Sequence, residues 1–438
     1  MKNLPLSKDY INGFAKKFGL RDLGKATIRE IVGMVNFIQQ DSGVPFFRME
    51  MGVPGLNPPE VGVNAEIEAL KKGVASDYPM VDGIKPLKEE ASKFIKNFMN
   101  TDISPEGCVP TVGSMQGGYA SFLLCNNLVP GKDTALFIDP GFPVQKQQFK
   151  VLNQKYESFD VYNFRGKKLH DKLESYLKNG NINSIIYSNP NNPTWICFTD
   201  EELKIIGELA NKYDVIVIED LAYVAMDFRV DMSKPGEPPY QPSVSKYTDN
   251  YILLISSSKA FSYAGQRLAV TAISDKIYHR KYDTLQDRFG ADEFGYTFVL
   301  RIIYSLSSGV SHSAQYALTA MFKAANEGEF NFVKSVKEYG KRASIMKKMF
   351  TEAGFDIVYD TDIDKPIADG FYFTISYPGM SGGELLEALM QVGISAIALD
   401  NTGSDRSEGL RACVSQIGLD KMDALQERIN LFKNINQQ

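Results

Sequence analysis

Ile252-Leu253-Leu254-Ile255-Ser256-Ser257-Ser258-Lys259-Ala260-Phe261-Ser262-Tyr263-Ala264-Gly265-Gln266-Arg267 runs from a block of large aliphatics straight into hydroxyls, one lysine and, eight residues on, one arginine. Consecutive apolar residues without polar alternation mark a strand covered on both faces, and hence a parallel sheet between helices. In such sheets ligands bind beyond the carboxyl ends of the strands. The chemically loaded residues here begin where the apolar run stops. Two readings of Lys259 are open at this point. In one it is a nucleophile among donors suited to a phosphate dianion: the hydroxyls of Ser256 and Ser258 and the planar fork of Arg267. In the other the serines form a turn after a buried strand, and Lys259 and Arg267 are solvated.

The same apolar pattern recurs at Ala135–Asp139, Ser184–Ser188, Val215–Asp220 and Leu268–Ile273. Helical patterns separate these runs. Asp200–Ala210 opens with a capping-type acid and places Leu203, Ile206 and Ala210 on one face. Repeated βα units therefore extend from about residue 50 to 320. Beyond about residue 330 the pattern changes to a long polar helix (Asn331–Ala353), a strand at Phe371–Ile375, a helix from Gly383, a strand around Leu410–Val414 and a last helix from Leu419. The expected fold class is α/β, with a mostly parallel central sheet flanked by helices in a large domain at 51–325. A smaller α+β domain is expected at 326–438, joined by an N-terminal segment at 1–50 that contains no βα unit.

A chain of 438 residues with 44% hydrophobic and 23% charged residues has an ordinary globular composition, long enough for two domains. Its net charge of -5 argues against nucleic acid as a partner and favours small-molecule chemistry. Cys108, Cys125, Cys197 and Cys413 lack the close pairing of a metal site, so no metal and no disulfide framework is expected. The first ten residues do not read as a secretory signal, and no apolar run reaches membrane-spanning length. A soluble, unprocessed, cytoplasmic protein is the expectation, with no membrane partner.

Further groups follow the other strands. Thr111-Val112-Gly113-Ser114-Met115-Gln116 is a small-residue loop opening a helix, whose free N–H groups and dipole could cradle a phosphate, or which is an ordinary cap. Ser188-Asn189-Pro190-Asn191-Asn192-Pro193-Thr194 either fixes the Asn192 amide toward a phenolate oxygen or is a plain Asn-Pro turn. Glu219-Asp220-Leu221-Ala222-Tyr223 ends an apolar strand with a carboxylate that needs a cation, and a pyridinium N–H is such a cation. Tyr223, read as continuing the extended chain, would reach the phenolic oxygen of the same ring; the alternative is a structural acid and a core tyrosine. Phe142, in Asp139-Pro140-Gly141-Phe142-Pro143, is placed either to stack on that ring or to pack in the core. Taken in order along the chain, these groups match what a pyridoxal phosphate site must contain.

The constellation resembles the class I/II aminotransferases of the aspartate aminotransferase superfamily, the fold type I pyridoxal phosphate enzymes, from about Gly52 to Arg411. The resemblance implies that Lys259 is the Schiff-base lysine, Asp220 the partner of the ring nitrogen, Tyr223 and Asn192 the pair on the 3′-oxygen, and Phe142 the stacking aromatic. Gly113, Ser114, Met115, Ser256, Ser258 and Arg267 would surround the phosphate. Tyr78, in Tyr78-Pro79-Met80-Val81-Asp82-Gly83, is similar to a tyrosine that reaches the phosphate from a second subunit, which implies a homodimer with shared active sites. Arg411 would clamp the substrate α-carboxylate with Asn192 and the backbone of Gly52. Arg301, in Leu300-Arg301-Ile302-Ile303-Tyr304-Ser305, resembles an element that reads a distal carboxylate. The chain departs from the family at Val53 and Gly55, where an acid is usual, at Lys88, where arginine is common, and at Trp195, where glycine is normal. His312 reads as a satisfied polar residue.

The implied reaction moves an amino group between an L-amino acid, with aspartate or another acidic amino acid the leading expectation, and a 2-oxo acid such as 2-oxoglutarate, by a ping-pong cycle. Two alternatives use the same constellation. One is a carbon–sulfur β-lyase; the other is a non-enzymatic ligand-sensing regulator domain, which would need a DNA-binding module that the residues before Gly52 do not supply.

Overall fold

The computed structural model describes residues 4–436. The apolar runs form a seven-stranded sheet. Numbered in chain order, its strands are β1 (Cys108–Thr111), β2 (Thr134–Asp139), β3 (Lys155–Asp160), β4 (Ile182–Ser188), β5 (Ile216–Leu221), β6 (Tyr251–Ser256) and β7 (Ala269–Ile273), in the spatial order β1-β7-β6-β5-β4-β2-β3. Strands β2 to β6 are mutually parallel, and β7 alone is reversed against β6 and β1. The α/β class with a mostly parallel sheet is therefore as expected. Two strands were not legible in the sequence. β1 is short and carries Pro110, and β3 is an edge strand whose polar residues alternate with Tyr156 and Phe159 instead of forming an apolar run.

The register brings one edge of the sheet into line. Ser188 faces Asp220, Asp220 faces Leu254, and Ser256 and Thr111 both face Ala269. The carboxyl ends of β1, β2, β4, β5 and β6 thus lie together, and the reversed β7 starts at that same edge, two residues after Arg267. A core that includes Phe122, Phe137 and Phe149 lies beneath, with ring centroids 4.8 Å (Phe122–Phe149) and 5.2 Å (Phe137–Phe149) apart. The helix Gly113–Cys125 lies across the strands. A side chain at Gly117 would collide with Thr271 on β7, so glycine lets this helix approach the sheet closely and puts its N-terminus at the loaded edge.

Helix Asp200–Tyr213 matches the expected amphipathic helix, with Leu203, Ile206 and Ala210 buried, but its cap differs. Thr199, not Asp200, is the N-cap, closing a capping box with Glu202 because a short hydroxyl reaches the free N–H groups of the first turn.

Two compact units can be separated. One comprises Leu56–Pro190 and Cys197–Val336 and contains the seven-stranded sheet. The other comprises the chain up to Gly55, the short segment Asn191–Ile196, and the chain from Lys337 onward. In this second unit an antiparallel sheet has the order Ile397–Ala398, Leu410–Cys413, Tyr372–Ser376, Asp356–Ile357. The single helix expected over Asn331–Ala353 is two, Phe332–Val336 and Glu338–Glu352, because at the break Gly340 donates to the Lys337 carbonyl three residues back, a tighter turn. Among the described residues no helix is long and apolar enough to cross a membrane.

Candidate active site

In the large unit, Asp220 occupies the carboxyl end of β5 and is only 7% exposed. Its Oδ1 accepts from the Ala222 N–H at 3.1 Å and its Oδ2 from Gln145 Nε2 at 3.0 Å. Both donors are neutral, and no lysine or arginine among the described residues forms an ion pair with this carboxylate. Burial therefore dominates and pushes its pKa up to about 6, against the smaller opposing effect of the Ala222 hydrogen bond. Gln145, on the helix that follows Phe142, was missed in the sequence. A glutamine in a first helical turn has no distinctive pattern, and only the fold shows it facing a carboxylate 75 residues away.

Tyr223 is buried beside this strand end, although not by continuation of an extended chain. Residues 222–225 form a turn in which the Val224 N–H donates to Leu221 O and the Met226 N–H to Tyr223 O, so strand alternation does not set the direction of Tyr223.

Lys259 lies in the turn after β6, the neighbour of β5, and the Ser262 N–H closes that turn onto its carbonyl. The three serines before it divide their tasks. Ser257 donates its hydroxyl to Leu268 O at 2.6 Å and ties the loop to the start of β7. Ser256 accepts from the Ser258 N–H at 3.1 Å, which leaves its own proton to donate elsewhere.

Arg267 adopts φ +52°, and its Nη1 donates to Ala264 O at 3.1 Å. Its other terminal nitrogen lies against the Gly113 backbone: a Cβ built on Gly113, itself at φ +66°, would stand 2.6 Å from Nη2. The arginine and the N-terminus of helix Gly113–Cys125 are therefore brought together from chain positions over 150 residues apart. Ser114 Oγ, one residue on, is buried and has no hydrogen-bond partner among the described residues. Met115 follows with its side chain exposed, and Phe142, half-buried at the N-cap of Pro143–Leu152, has no ring partner among the described residues.

Tyr78 projects from a loop of the same unit with 92% of its surface exposed. The loop itself is anchored. The nearly buried Lys88 donates to the Asp82 carboxylate and carbonyl and to Glu106 O, at 3.0 to 3.2 Å, and the His312 ring nitrogen lies 3.2 Å and 3.1 Å from the carbonyls of Val74 and Asp77. His312 is thus a satisfied polar residue.

Arg301 is tied to backbone carbonyls of its own unit. Its Nε donates to Phe289 O at 2.9 Å, Nη1 to Leu300 O and Nη2 to Gly290 O, and the guanidinium lies 5.1 Å from the Tyr296 ring centroid. The carbonyls of Phe289 and Gly290 end the helix Asp283–Phe289, where a cation also suits the dipole. The distal-carboxylate reading of Arg301 gains no support from these bonds.

In the small unit, Arg411 is only 2% exposed on the strand Leu410–Cys413. Nη2 donates to Glu50 O at 2.6 Å and Nη1 to Asn192 Oδ1 at 3.4 Å, while the buried Nε has no partner among the described residues. A desolvated guanidinium with a donor left over and no carboxylate beside it calls for an anion. Asn192 and Gly52 belong to this unit with it. Gly55, expected at the rim of a substrate site, proves structural: a Cβ there would overlap Ser415 O, and its N–H donates to the Tyr339 hydroxyl.

A family model described as aminotransferase class I and II matches residues 47–429. The chain belongs to the class I and II aminotransferases. Among relatives of this family, it is 22% identical over 348 residues to a probable aspartate aminotransferase of Methanocaldococcus jannaschii, a match covering 75% of this chain and 87% of that one. To an LL-diaminopimelate aminotransferase of Methanococcus maripaludis it is 26% identical over 356 residues, covering 79% and 77%. In fold it is similar to the aspartate aminotransferase of Thermus thermophilus with maleate (TM-score 0.75, 15% identity, 93% and 96% covered). The alanine aminotransferase of Pyrococcus furiosus gives 0.74 at 18% identity, with 93% and 96% covered.

This aminotransferase uses pyridoxal phosphate and acts on amino acids and 2-oxo acids. The residues of the large unit fit that cofactor. The unpartnered Ser114 Oγ and the Gly113 backbone beside Arg267 suit a phosphate, and the buried, uncompensated Asp220 suits a protonated ring nitrogen.

Proposed function

We propose that Lys259 carries the cofactor, that Asp220 holds its ring nitrogen, and that Arg411 receives the substrate α-carboxylate. The observation that carries the cofactor assignment is the buried carboxylate of Asp220, without a cationic neighbour among the described residues, at the edge of the sheet from which Lys259 also emerges. When bound, the cofactor supplies an aldehyde that captures the amino group and a cationic ring that accepts the electrons of the Cα–H bond.

Lys259 Nζ would take the proton leaving Cα and deliver it to the cofactor in the first half-reaction, and would carry a proton from the cofactor back to Cα in the second. Asp220 stays ionised through both and keeps the ring nitrogen protonated. Tyr223 and Asn192 hydrogen-bond the phenolic oxygen, and Phe142 covers one face of the ring. Gly113 and Met115 contribute backbone N–H groups, and Ser114, Ser256, Ser258 and Arg267 side chains, to the phosphate. Asn192, Arg411 and the backbone of Gly52 orient the carboxylate, so every amino acid presents its Cα in one geometry. Apart from Asn192, the groups proposed for the cofactor belong to the large α/β unit, and those proposed for the α-carboxylate belong to the small unit.

The protein acts as a homodimer in which Tyr78 completes the partner's phosphate site. In support, Tyr78, Met80, Tyr304 and Leu306 are exposed, and Met80 and Val81 pass beside Gly309 in one neighbourhood, which suits an interface better than water. Mixing Tyr78→Phe and Lys259→Ala proteins would test this: hybrid dimers recover activity if the site is shared and do not otherwise. All four cysteines are free, which is in keeping with a reducing, cytoplasmic setting.

The proposed donor is an acidic L-amino acid such as aspartate, with 2-oxoglutarate as acceptor. The relatives named aspartate aminotransferase support this; Arg301 does not. A panel of aspartate, glutamate, alanine, tyrosine and LL-diaminopimelate, each scored in a half-reaction by the change in cofactor absorbance, tests the assignment without a choice of acceptor. Fastest conversion of aspartate or glutamate is expected, and inertness of both would overturn it.

A further inference from the structure

The small unit carries a feature beyond the arginine clamp. Tyr372 and Arg411 lie on adjacent antiparallel strands, with Tyr372 opposite Cys413 and Thr374 opposite Arg411, so both side chains rise from one face as diagonal neighbours. The Arg411 guanidinium lies 4.7 Å from the Tyr372 ring centroid. The Tyr372 hydroxyl points at the backbone of Gly52, where a Cβ would overlap it and would stand 3.3 Å from Cζ. One tyrosine therefore presents its ring to the guanidinium and its hydroxyl to the glycine, the two groups assigned to the substrate α-carboxylate.

Trp195 fixes this tyrosine. It is the single tryptophan of the chain, is fully buried, and adopts φ +65°, a conformation that L residues hold only when their surroundings over-determine it. Its loop is tied by Asn191, whose Oδ1 accepts from the N–H and hydroxyl of Thr194 and whose carbonyl accepts from the Trp195 N–H. The indole occupies the space that a Cβ on Gly370 would need, and its ring meets Tyr372 edge-on at 6.3 Å. Trp195 and Gly370 are thus complementary in size, and Gly370 lies two residues before Tyr372 in the chain.

We propose that Tyr372 is a further ligand of the substrate α-carboxylate, donating its hydroxyl beside Arg411 and Gly52, and that Trp195 is the residue that positions it. This rests on the reading of Arg411 as the carboxylate site. A hydroxyl bond to a charged group is worth roughly 1.5–3 kcal/mol, which corresponds to about a tenfold or greater change in affinity. Because the α-carboxylate is common to donors and acceptors, the effect should be the same for all of them.

The test compares the holoenzyme with Tyr372→Phe, Trp195→Phe, the double variant and Arg411→Lys, using L-aspartate, L-alanine and 2-oxoglutarate. Tyr372→Phe keeps the ring over the guanidinium and removes only the hydroxyl. It should raise KM about tenfold for all three compounds, leave kcat within about twofold, and leave the emission maximum of Trp195 unchanged. Trp195→Phe should raise KM severalfold, and the double variant should be no worse than Tyr372→Phe alone, because the ring acts only through the hydroxyl it positions. KM values within about twofold of the parent in Tyr372→Phe would overturn the ligand role, and additive effects in the double variant would overturn the positioning role. Arg411→Lys separates the two levels. If it leaves KM unchanged, the carboxylate reading itself fails; if it raises KM while Tyr372→Phe does not, only the role of Tyr372 fails.

Discussion

Asp220→Asn offers the sharpest test of the cofactor site, because it should strengthen the protein while disabling it. In the cofactor-free protein, burial raises the Asp220 pKa from 3.8 to about 6. A raised acid pKa means that the folded state holds its proton more tightly than the unfolded chain. Between about pH 4 and pH 6 the folded state therefore binds more protons, and stability falls as pH rises through that window. Two units correspond to about 3 kcal/mol, an upper figure for the burden of keeping Asp220 ionised at pH 8. Asparagine is neutral and of the same shape, and it accepts the Ala222 N–H as before, while the Gln145 amide can turn to offer its oxygen.

The cofactor-free Asp220→Asn protein should accordingly be more stable than the parent at pH 8, by up to about 3 kcal/mol, and should lose that advantage near pH 4. Glu219, raised to about 7, and Asp139, raised to about 6, are present in both proteins and cancel in the comparison. Saturation with pyridoxal phosphate should reverse the order, since the ring cation compensates the carboxylate and has no partner in asparagine. Turnover should fall by about a hundredfold or more. Urea unfolding of both proteins at pH 5 and pH 8, with and without cofactor, measures all of this. A cofactor-free variant that is less stable than the parent at pH 8, or a stability gap unchanged by cofactor, would refute the electrostatic reasoning.

Other expectations concern single elements. Lys259→Ala should abolish the absorbance band of lysine-bound cofactor and lower turnover by about a thousandfold or more, and a variant retaining both would contradict the assignment. Gly113→Ala combines φ +66° with a clash against Arg267 Nη2, so cofactor titration should show about tenfold weaker binding with the fold retained, and equal binding would show that this cradle does not hold the phosphate. Arg301→Ala should lower stability by about 1–2 kcal/mol through lost helix closure, while KM for aspartate stays the same; a selective rise in that KM would restore the distal-carboxylate role.

The fold was legible wherever burial left its mark on composition. Strands covered on both faces favour apolar side chains along most of their length, so β2, β4, β5, β6 and β7 are written as mainly apolar runs. The edge strand β3 escaped because its exposed and half-buried positions tolerate Lys155, Glu157 and Ser158, and β1 escaped because it is short and contains Pro110. The family resemblance in the sequence agrees with the match over residues 47–429. The division of labour among Ser256, Ser257 and Ser258 was not readable, since three neighbouring hydroxyls look alike until their partners across the sheet are known.

By itself, the sequence determined the α/β class and the order along the chain of the groups proposed for a cofactor, because residue chemistry and hydrophobic periodicity are local properties. Only the tertiary structure decided which distant groups meet. It set Gln145 against Asp220, Gly113 against Arg267, and Trp195 against Gly370 and Tyr372, and it turned Arg301 onto the end of a helix. Such pairings depend on strand register, helix approach and loop closure, which arise from packing of the whole chain and leave no spacing in the sequence to read.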